Sequence, residues 1–320
     1  MINKIVEFEC SIDFNSVMDG SYGELTIDEN IYIVSRLNQN MKGNKGGNSW
    51  VMKMFPQDSD PQNDLPVKII KINKSDYYDN NKKPSRKNNK RINGEIEALN
   101  ECKNKSAKYV IKIDKDGILI NSPQNDTRRR TTHRFYTMEV AEFDLKQYVE
   151  SNELDFNAKL SICMELTKAL NELYKYGYYH RDIKPDNFFY VYDEGWKVGD
   201  LGLVKNRKSE VVIDGKNEFI GPRGWTSPET MNKYLVKECD NRYDRIIDEK
   251  SDMFQLGMVF WYIMQGNAPI GNIMEYDFKH QDHGLYMLIR TMISYDKTFR
   301  PKDFNTILER LNYIANKEIV

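Results

Sequence analysis

Strand-forming runs dominate the first half of the chain, where short β-branched and aromatic stretches alternate with turns rich in Asn, Gly, Pro and Asp. These runs predict strands at Ile31–Leu37, Ser49–Phe55, Leu65–Ile72, Tyr109–Ile113 and Arg134–Glu139. One helix is predicted after the third strand, because apolar residues recur there at helical spacing. Those residues are Ile92, Ile96, Leu99 and Cys102.

Helical periodicity replaces this pattern in the second half. A long amphipathic helix is indicated by Leu160, Cys163, Leu166, Leu170 and Leu173. We expect Gly177 to end that helix, and we expect further helices at Met253–Gln265 and Leu285–Ser294. The order predicts an α+β fold, with a β-rich N-terminal lobe followed by a mainly helical C-terminal lobe.

Composition narrows the class of protein. Of the 320 residues, 40% are apolar and 30% charged, and the net charge is −1, which disfavours nucleic acid and anionic membranes as partners. The most apolar stretch, Met253–Met264, is too short to cross a bilayer. The four cysteines are far apart in sequence, and Met1–Glu9 shows no signal-peptide pattern, so we expect a cytoplasmic protein without disulfides.

Two polar segments, Lys74–Arg91 and Asn121–Arg134, have no apolar period and are predicted to be surface loops. The second contains three arginines directly before Thr131 and Thr132. A charged surface segment explains this sequence most simply, and an autophosphorylation site at the two threonines is the alternative.

The densest polar cluster is the run His180–Asn187, which lies between the long helix and a short apolar strand at Phe188–Tyr190. Asp200 follows a second short strand, Trp196–Val198. Two turns that each place an acid at a strand edge could hold a divalent cation and phosphate, since Mg²⁺ prefers a few carboxylate or amide oxygens together with phosphate and water.

Several motifs in this order resemble the eukaryotic-type protein Ser/Thr kinase family, roughly from Ile31 to Leu311. They are HRDIKPDN at 180–187, DLG at 200–202, SPE at 227–229, SDMFQLG around Asp252 and FRPKDF around Arg300. The resemblance implies a bilobal kinase fold and ATP-dependent transfer of the γ-phosphoryl group to protein Ser/Thr, with autophosphorylation and with Mg²⁺, or alternatively Mn²⁺, as the metal.

The same resemblance implies roles for residues of the second half. Asp182 is the catalytic base for the substrate hydroxyl, and Lys184 steadies the γ-phosphate. Asn187 and Asp200 are metal ligands. Arg300 is expected to pair with Glu229, at the end of the activation segment.

In the first half, two lysines compete for the ATP phosphates. A glycine loop ending near Gly47 leaves too few residues before Lys53 for a hairpin, but enough before Lys71. We therefore expect Lys71 to pair with Glu95 of the following helix, with Glu97 as the alternative. The loop itself lacks the GxGxxG spelling. We place it at Gly43, Gly46 and Gly47, rather than at Gly20 and Gly23, which precede the first strand.

The adenine site is placed by counting back from FDLKQYV, which resembles the start of the first C-lobe helix. Met138 is then the gatekeeper, Glu139 to Ala141 offer backbone groups to adenine, and Phe189 lies under its ring. These assignments give an N-terminal extension at 1–30, an N-lobe with hinge at 31–142 and a C-lobe at 143–320.

The sequence leaves more than one hypothesis for how the activity is regulated, and it departs from the family pattern at one position of the activation segment. An arginine before the catalytic Asp, here Arg181, is typical of kinases controlled by activation-loop phosphorylation. Ser209 is the candidate phosphosite, and Glu210, Asp214 or Glu218 are candidate substitutes for the phosphate. Pro222 stands where the family usually has a threonine, so one hydroxyl donor is lost.

Two other functions compete with a protein kinase. A pseudokinase that acts as a nucleotide-binding scaffold would be expected to lack one of the catalytic residues, and all are present. A small-molecule phosphotransferase would be expected to lack the SPE segment and its arginine partner. Protein substrates are therefore favoured.

Overall fold

The chain divides into two compact units in a computed structural model that describes residues 5–37, 48–78, 87–122, 130–209, 214–215, 218–235, 242–280 and 282–317. Unit 1 comprises Met1–Lys103 and Lys112–Val140, and unit 2 comprises Asn104–Ile111 and Ala141–Val320. The segment 1–30 therefore groups with unit 1, and 104–111 groups with unit 2.

Unit 1 is built on a twisted sheet with two helices. Its elements are β1 (Glu7–Cys10), α1 (Phe14–Met18), β2 (Gly23–Ile27), β3 (Asn30–Arg36), β4 (Ser49–Pro56), β5 (Lys68–Asn73), α2 (Lys87–Asn104), β6 (Ile113–Asn121) and β7 (Thr131–Met138). In the described residues of unit 1, the sheet has seven strands in the order β1-β6-β7-β5-β4-β3-β2. Only the β1–β6 pairing is parallel, and the others are antiparallel.

The first thirty residues contribute both edge strands of this sheet and part of its core. Phe14 and Val17 of α1 are buried in one cluster with Leu25, Met52 and other strand residues. The Phe14 ring stacks on Trp50, with 4.7 Å between the ring centroids. Burial of this apolar surface is what holds the segment on the sheet.

The run at Tyr109–Ile113 was wrongly predicted as a strand. Within unit 2, the Val198 N–H donates to the Tyr109 carbonyl at 2.9 Å and the Ile111 N–H donates to the Val198 carbonyl at 3.0 Å. Strand β6 of unit 1 begins only at Ile113. An apolar run of this length does not reveal which partner it pairs with. Parts of both predicted polar loops, 79–86 and 123–129, lie outside the described residues.

Unit 2 is mainly helical, with short strands around its polar turns. Its elements are β8 (Phe143–Asp144), α3 (Leu145–Ser151), α4 (Phe156–Lys175), β9 (Tyr178–Tyr179), β10 (Phe188–Val191), β11 (Gly195–Val198), β12 (Lys205–Asn206), α5 (Pro228–Leu235), α6 (Glu249–Gln265), α7 (His283–Met292) and α8 (Phe304–Lys317). The predicted α+β class, with a β-rich first part and a helical second part, is confirmed.

Two helices of unit 2 position the polar turns. The α4 helix begins at the Asp155 cap, whose Oδ1 accepts from the Ala158 N–H at 2.7 Å, and the chain reverses after it at Gly177, where φ is +96°. The α6 helix is buried along most of its length, which explains its uninterrupted apolar sequence. None of the helices in the described ranges is both long and apolar enough to cross a membrane.

Candidate active site

The loop His180–Asn187 is held by the first turns of α6. Oδ2 of Asp252 accepts from the His180 N–H and its Oδ1 from the Arg181 N–H, both at 2.8 Å. Oε1 of Gln255 accepts from the Ile183 N–H at 3.0 Å. Arg181 has φ of +67°, a strained conformation that these contacts maintain. The loop is therefore fixed by side chains of a buried helix.

Burial shifts the pKa of the carboxyl group that anchors this loop. Asp252 is buried, and desolvation raises its pKa to about 7, although the N–H groups of Arg181 and His180 oppose the rise. The ionised form therefore depends on those two donors, and the loop and its anchor stabilise each other.

His180 has a structural role inside the loop. Its Nε2 is 3.0 Å from the Gly199 carbonyl oxygen, and its Nδ1 is 3.2 Å from the Asp182 N–H. Since a carbonyl accepts and an N–H donates, the ring fits as the neutral tautomer with the proton on Nε2. Burial lowers the pKa of His180, which favours this neutral form. The ring thus links the turn that carries Asp182 to the turn that carries Asp200.

Three polar side chains meet at the end of the loop. The Asn187 amide donates to the Asp182 carbonyl oxygen at 2.7 Å and to Asp182 Oδ2 at 3.0 Å. Lys184 Nζ is 3.5 Å from the same Oδ2. Burial raises the pKa of Asp182 and the charge of Asp200 adds to the rise, while Lys184 opposes it. The carboxylate is oriented by its neighbours and remains partly open to solvent.

Asp200 follows β11 in a turn where its own φ is +52°. The preceding Gly199 lies against the Phe189 ring, so a Cβ added there would be 2.9 Å from a ring carbon. Non-glycine residues at such φ values cost about 1–3 kcal/mol and are often found at functional sites. Asp200 is exposed directly after this close approach of the backbone to Phe189.

The donor set of these turns fits a hard divalent cation. Asp182 and Asp200 offer carboxylate oxygens, and Asn187 directs its N–H groups to Asp182 and so leaves its amide oxygen for a metal. No group of three or more His, Cys, Asp or Glu side chains in the described part of the chain is placed to hold a metal. A site with so few protein ligands suits an ion that takes its remaining ligands from phosphate and water.

In unit 1, the two side chains that the sequence pairs are in contact. Lys71 Nζ is 2.8 Å from Oε1 of Glu95 and 3.0 Å from its Oε2, with side-chain exposures of 13% and 2%. Lys53 lies on the neighbouring strand β4, where it pairs in register with Ile69, and Glu97 is exposed. The geometry favours Lys71 and Glu95 over both alternatives.

The residues assigned to adenine begin at the end of β7. Met138 is half-buried at the end of β7, and the Glu139 N–H donates to the Lys112 carbonyl at 3.1 Å. Ala141 begins the second segment of unit 2. Gly43, Gly46 and Gly47, the predicted glycine loop, lie outside the described residues.

A carboxylate of the activation segment, that of Asp214, contacts the Arg181 guanidinium. The Nη1 atom of Arg181 is 2.6 Å from Oδ2 of Asp214, and Nη2 is 3.5 Å from its Oδ1. Lys233 Nζ is 3.8 Å from the same carboxylate. Ser209 is exposed and Glu218 accepts from the Gly215 N–H, while Glu210 lies outside the described residues. Of the described candidates, Asp214 is the one in contact with the arginine.

The end of the segment is fixed by a buried ion pair. Arg300 Nη2 is 2.6 Å from Oε1 of Glu229, with side-chain exposures of 0% and 2%. Ser251 donates to the other Glu229 oxygen at 3.1 Å. Upstream, the Pro222 carbonyl accepts from the Thr226 hydroxyl at 2.8 Å.

The alternative phosphorylation site lies in a strand. Thr131 and Thr132 begin β7 and are half-buried. The Thr131 hydroxyl contacts the His133 ring at 2.9 Å, and the Thr132 hydroxyl accepts from the Tyr78 N–H at 3.2 Å. Both hydroxyls are therefore engaged within unit 1.

Sequence reasoning missed two contacts of the site. Gln255 lies three residues after Asp252, and helical spacing could have indicated it. Tyr136, whose hydroxyl donates to Glu95 at 2.9 Å, reads in the sequence only as a strand aromatic. No local pattern distinguishes it from other core residues of β7.

Comparison with known proteins agrees with the resemblance. The model of the protein kinase domain family matches residues 45–317. The eIF-2-alpha kinase GCN2 of Arabidopsis thaliana is 29% identical over 48% of the chain and 12% of the relative. A probable serine/threonine-protein kinase of Clostridium acetobutylicum is 30% identical over 41% and 18%. The mouse dual specificity protein kinase TTK is 24% identical over 56% and 23%.

These alignments cover only part of each relative. The chain spans between about an eighth and a quarter of the length of the three proteins. The family match instead covers most of this chain, with parts of both units.

Proposed function

We propose that this chain, which belongs to the protein kinase domain family, transfers the γ-phosphoryl group of ATP to serine or threonine hydroxyls of proteins. Members of this family use ATP and a divalent cation. The observation that carries the proposal is the contact of Asp182 with Asn187 and Lys184, in a loop fixed by Asp252. A serine/threonine kinase among the relatives, and the lysine at 184, support hydroxyls of Ser and Thr.

The chemistry required of the protein is mainly positioning and charge stabilisation. Asp182 orients the substrate hydroxyl and accepts its proton as the new O–P bond forms. The bond from the γ-phosphorus to the bridging oxygen breaks, and ADP leaves with that electron pair. Lys184 stabilises the negative charge on the transferred group. Phosphoryl transfer has a loose transition state, so orientation of Asp182 matters more than its basicity.

Asn187 and Asp200 are the residues that would hold the divalent cation, which we propose to be Mg²⁺, with Mn²⁺ as the alternative. When bound, the ion neutralises charge on the phosphate oxygens. Lys71, kept in place by Glu95, is the proposed phosphate-contacting lysine. The backbone at 139–141 and the side chains of Met138 and Phe189 are proposed to contact adenine, and Gly43, Gly46 and Gly47 to cover the phosphates.

The test compares matched variants of the purified chain. With Mg²⁺ and a protein substrate, Asp182→Asn and Lys71→Met are each expected to lower the transfer rate by about 10²-fold or more. Lys53→Met, which replaces the competing lysine on β4, is expected to leave the rate near wild type. A wild-type protein that binds ATP but transfers nothing would establish the pseudokinase alternative, and phosphotyrosine as the sole product would contradict the Ser/Thr assignment.

We further propose that this activity does not require activation-loop phosphorylation, because Asp214 already supplies a negative charge to Arg181. The contact is charge-assisted and nearly buried, with side-chain exposures of 5% for Arg181 and 12% for Asp214. Lys233 adds a second cation to the same carboxylate. Since Arg181 directly precedes Asp182, the pair helps to fix the catalytic loop.

Phosphatase treatment separates this proposal from a phosphorylation switch. Treated wild type and Ser209→Ala are expected to keep full activity, whereas Asp214→Asn is expected to lose about tenfold in kcat. Glu218→Gln, another acid of the segment, is the control and is expected to resemble wild type. Loss of activity on phosphatase treatment, or an Asp214→Asn variant as active as wild type, would refute the proposal.

A further inference from the structure

Glu95 has a second partner in unit 1 besides Lys71. The Tyr136 hydroxyl donates to Glu95 Oε1 at 2.9 Å, and this is the oxygen that also accepts from Lys71 at 2.8 Å. Tyr136 and Glu95 are each 1% exposed. A buried carboxylate needs more than one partner to offset its lost hydration, and a neutral hydroxyl provides a donor without adding charge.

The register of the sheet places this tyrosine. Tyr136 of β7 is the direct cross-strand partner of Lys71 of β5, so both side chains rise from the same face towards Glu95. The tyrosine position is therefore set by the strand ladder and does not depend on a loop. Lys71 Nζ is also 5.9 Å from the Tyr136 ring centroid.

A neighbouring contact ties the same helix to the same strand. Two residues before Tyr136 on β7, the Arg134 guanidinium donates to Asn93 Oδ1 of α2 at 3.1 Å. Arg134 and Tyr136 share one face of β7, because strand side chains alternate. Strand β7 thus holds α2 at two successive points, Asn93 and Glu95, independently of Lys71.

We propose that Tyr136 is a positioning residue for the phosphate-contacting lysine, acting through Glu95. When ATP binds, the Lys71 ammonium group would contact the phosphates as well as Glu95, so its contact with Glu95 would weaken. The tyrosine hydroxyl keeps Glu95 Oε1 satisfied and α2 in place during that exchange. Glu95 then remains where it can hold Lys71, and the pair does not depend on nucleotide to form.

This inference rests on the proposed function, and the test keeps the two separable. Tyr136→Phe removes only the hydroxyl and preserves the ring. We expect kcat/KM for ATP to fall about tenfold, as for loss of a hydrogen bond to a charged group. The KM for the protein substrate is expected to remain unchanged, because Tyr136 acts only on the lysine. A general loss of folding would instead change the kinetic constants for both substrates alike.

Tyr78→Phe is the matched control. The Tyr78 hydroxyl also contacts a glutamate of unit 1, Glu7 Oε1 at 3.2 Å, but at an exposed position. This variant is expected to retain wild-type kinetics. Thermal unfolding of both variants checks that each is folded under the assay conditions.

A double-mutant cycle tests whether Tyr136 acts through Glu95. In a Glu95→Gln background, Tyr136→Phe is expected to have little further effect on kcat/KM for ATP. An equal loss in both backgrounds, or a Tyr136→Phe variant with wild-type kinetics, would overturn the inference while leaving the kinase assignment intact. If wild type neither binds ATP nor transfers phosphate, the proposed function fails instead, whatever the position of Tyr136.

Discussion

The Arg300–Glu229 pair gives the sharpest stability prediction. Both side chains are almost fully buried, at 0% and 2% exposure, and the guanidinium also donates to the carbonyls of Ser294, Lys250 and Tyr295. Arg300→Met keeps an apolar side chain of similar length but removes every donor. It leaves the Glu229 carboxylate buried, with the Ser251 hydroxyl still donating to one of its oxygens.

The expected loss of stability arises because the substitution removes one partner of a buried ion pair and leaves the other. Such changes destabilise by roughly 3–5 kcal/mol, because an uncompensated charge remains in the interior. For a domain of the size of unit 2, 1 kcal/mol corresponds to about 2–4 °C in Tm, so Arg300→Met should lower Tm by roughly 10 °C. Removing the stranded charge as well should restore stability. The double variant Glu229→Gln, Arg300→Met is therefore expected to be more stable than Arg300→Met alone.

Thermal and urea unfolding measured by tryptophan fluorescence test this prediction. Unit 2 contains three of the four tryptophans, Trp196, Trp225 and Trp261. Lys146→Met is the control, because its pair with Glu150 is exposed and 3.9 Å long and is worth at most about 0.5 kcal/mol. An Arg300→Met variant as stable as this control, or a double variant less stable than Arg300→Met, would refute the reasoning.

Two further predictions concern acid–base chemistry and packing. Burial raises the pKa of Asp182 and Lys184 lowers it, and the base must be ionised, so Lys184→Ala should move the acidic limb of kcat/KM for ATP to higher pH. An unshifted or lowered limb would contradict this assignment of charges. Gly257→Ala in α6 should lower the free energy of unfolding by about 1–3 kcal/mol, because the added Cβ would be 2.7 Å from the Met292 Cβ. The midpoint of urea unfolding measures this change. Gly94→Ala in α2, with open space around it, should stabilise by about 0.5–1 kcal/mol, and the opposite order of the two glycines would contradict the packing.

Local sequence was sufficient to place the polar side chains of one motif in a single loop. The run His180–Asn187 gives the order of Asp182, Lys184 and Asn187, and the fold only has to keep that loop intact. The Lys71–Glu95 contact required an argument from chain length, because a hairpin must fit before the lysine strand. The contact could be predicted because the strand that carries Lys71, β5, and the helix that carries Glu95, α2, were both recognisable in the sequence.

Other parts of the site depend on contacts that no local pattern encodes. Glu210, Asp214 and Glu218 were equivalent candidates in the sequence to substitute for a phosphate on Ser209, and only the structure shows that Asp214 contacts Arg181. Tyr136 has the alternation of a core strand residue, and its role appears only when β7 pairs with β5. The run Tyr109–Ile113 was wrong as a strand for the same reason, since the choice of hydrogen-bonding partner is a tertiary property.

The central claim is that Asp182, oriented by Asn187 and Lys184, supports phosphoryl transfer from ATP to protein hydroxyls. The most direct measurement uses ATP labelled with heavy oxygen in its γ-phosphate, incubated with purified protein, Mg²⁺ and a protein extract, with mass spectrometry to locate the label. Wild type is expected to label serine and threonine residues, and Asp182→Asn is expected to label none above background. Equal labelling by Asp182→Asn, or no protein-bound label with a wild type that binds ATP, would contradict the account.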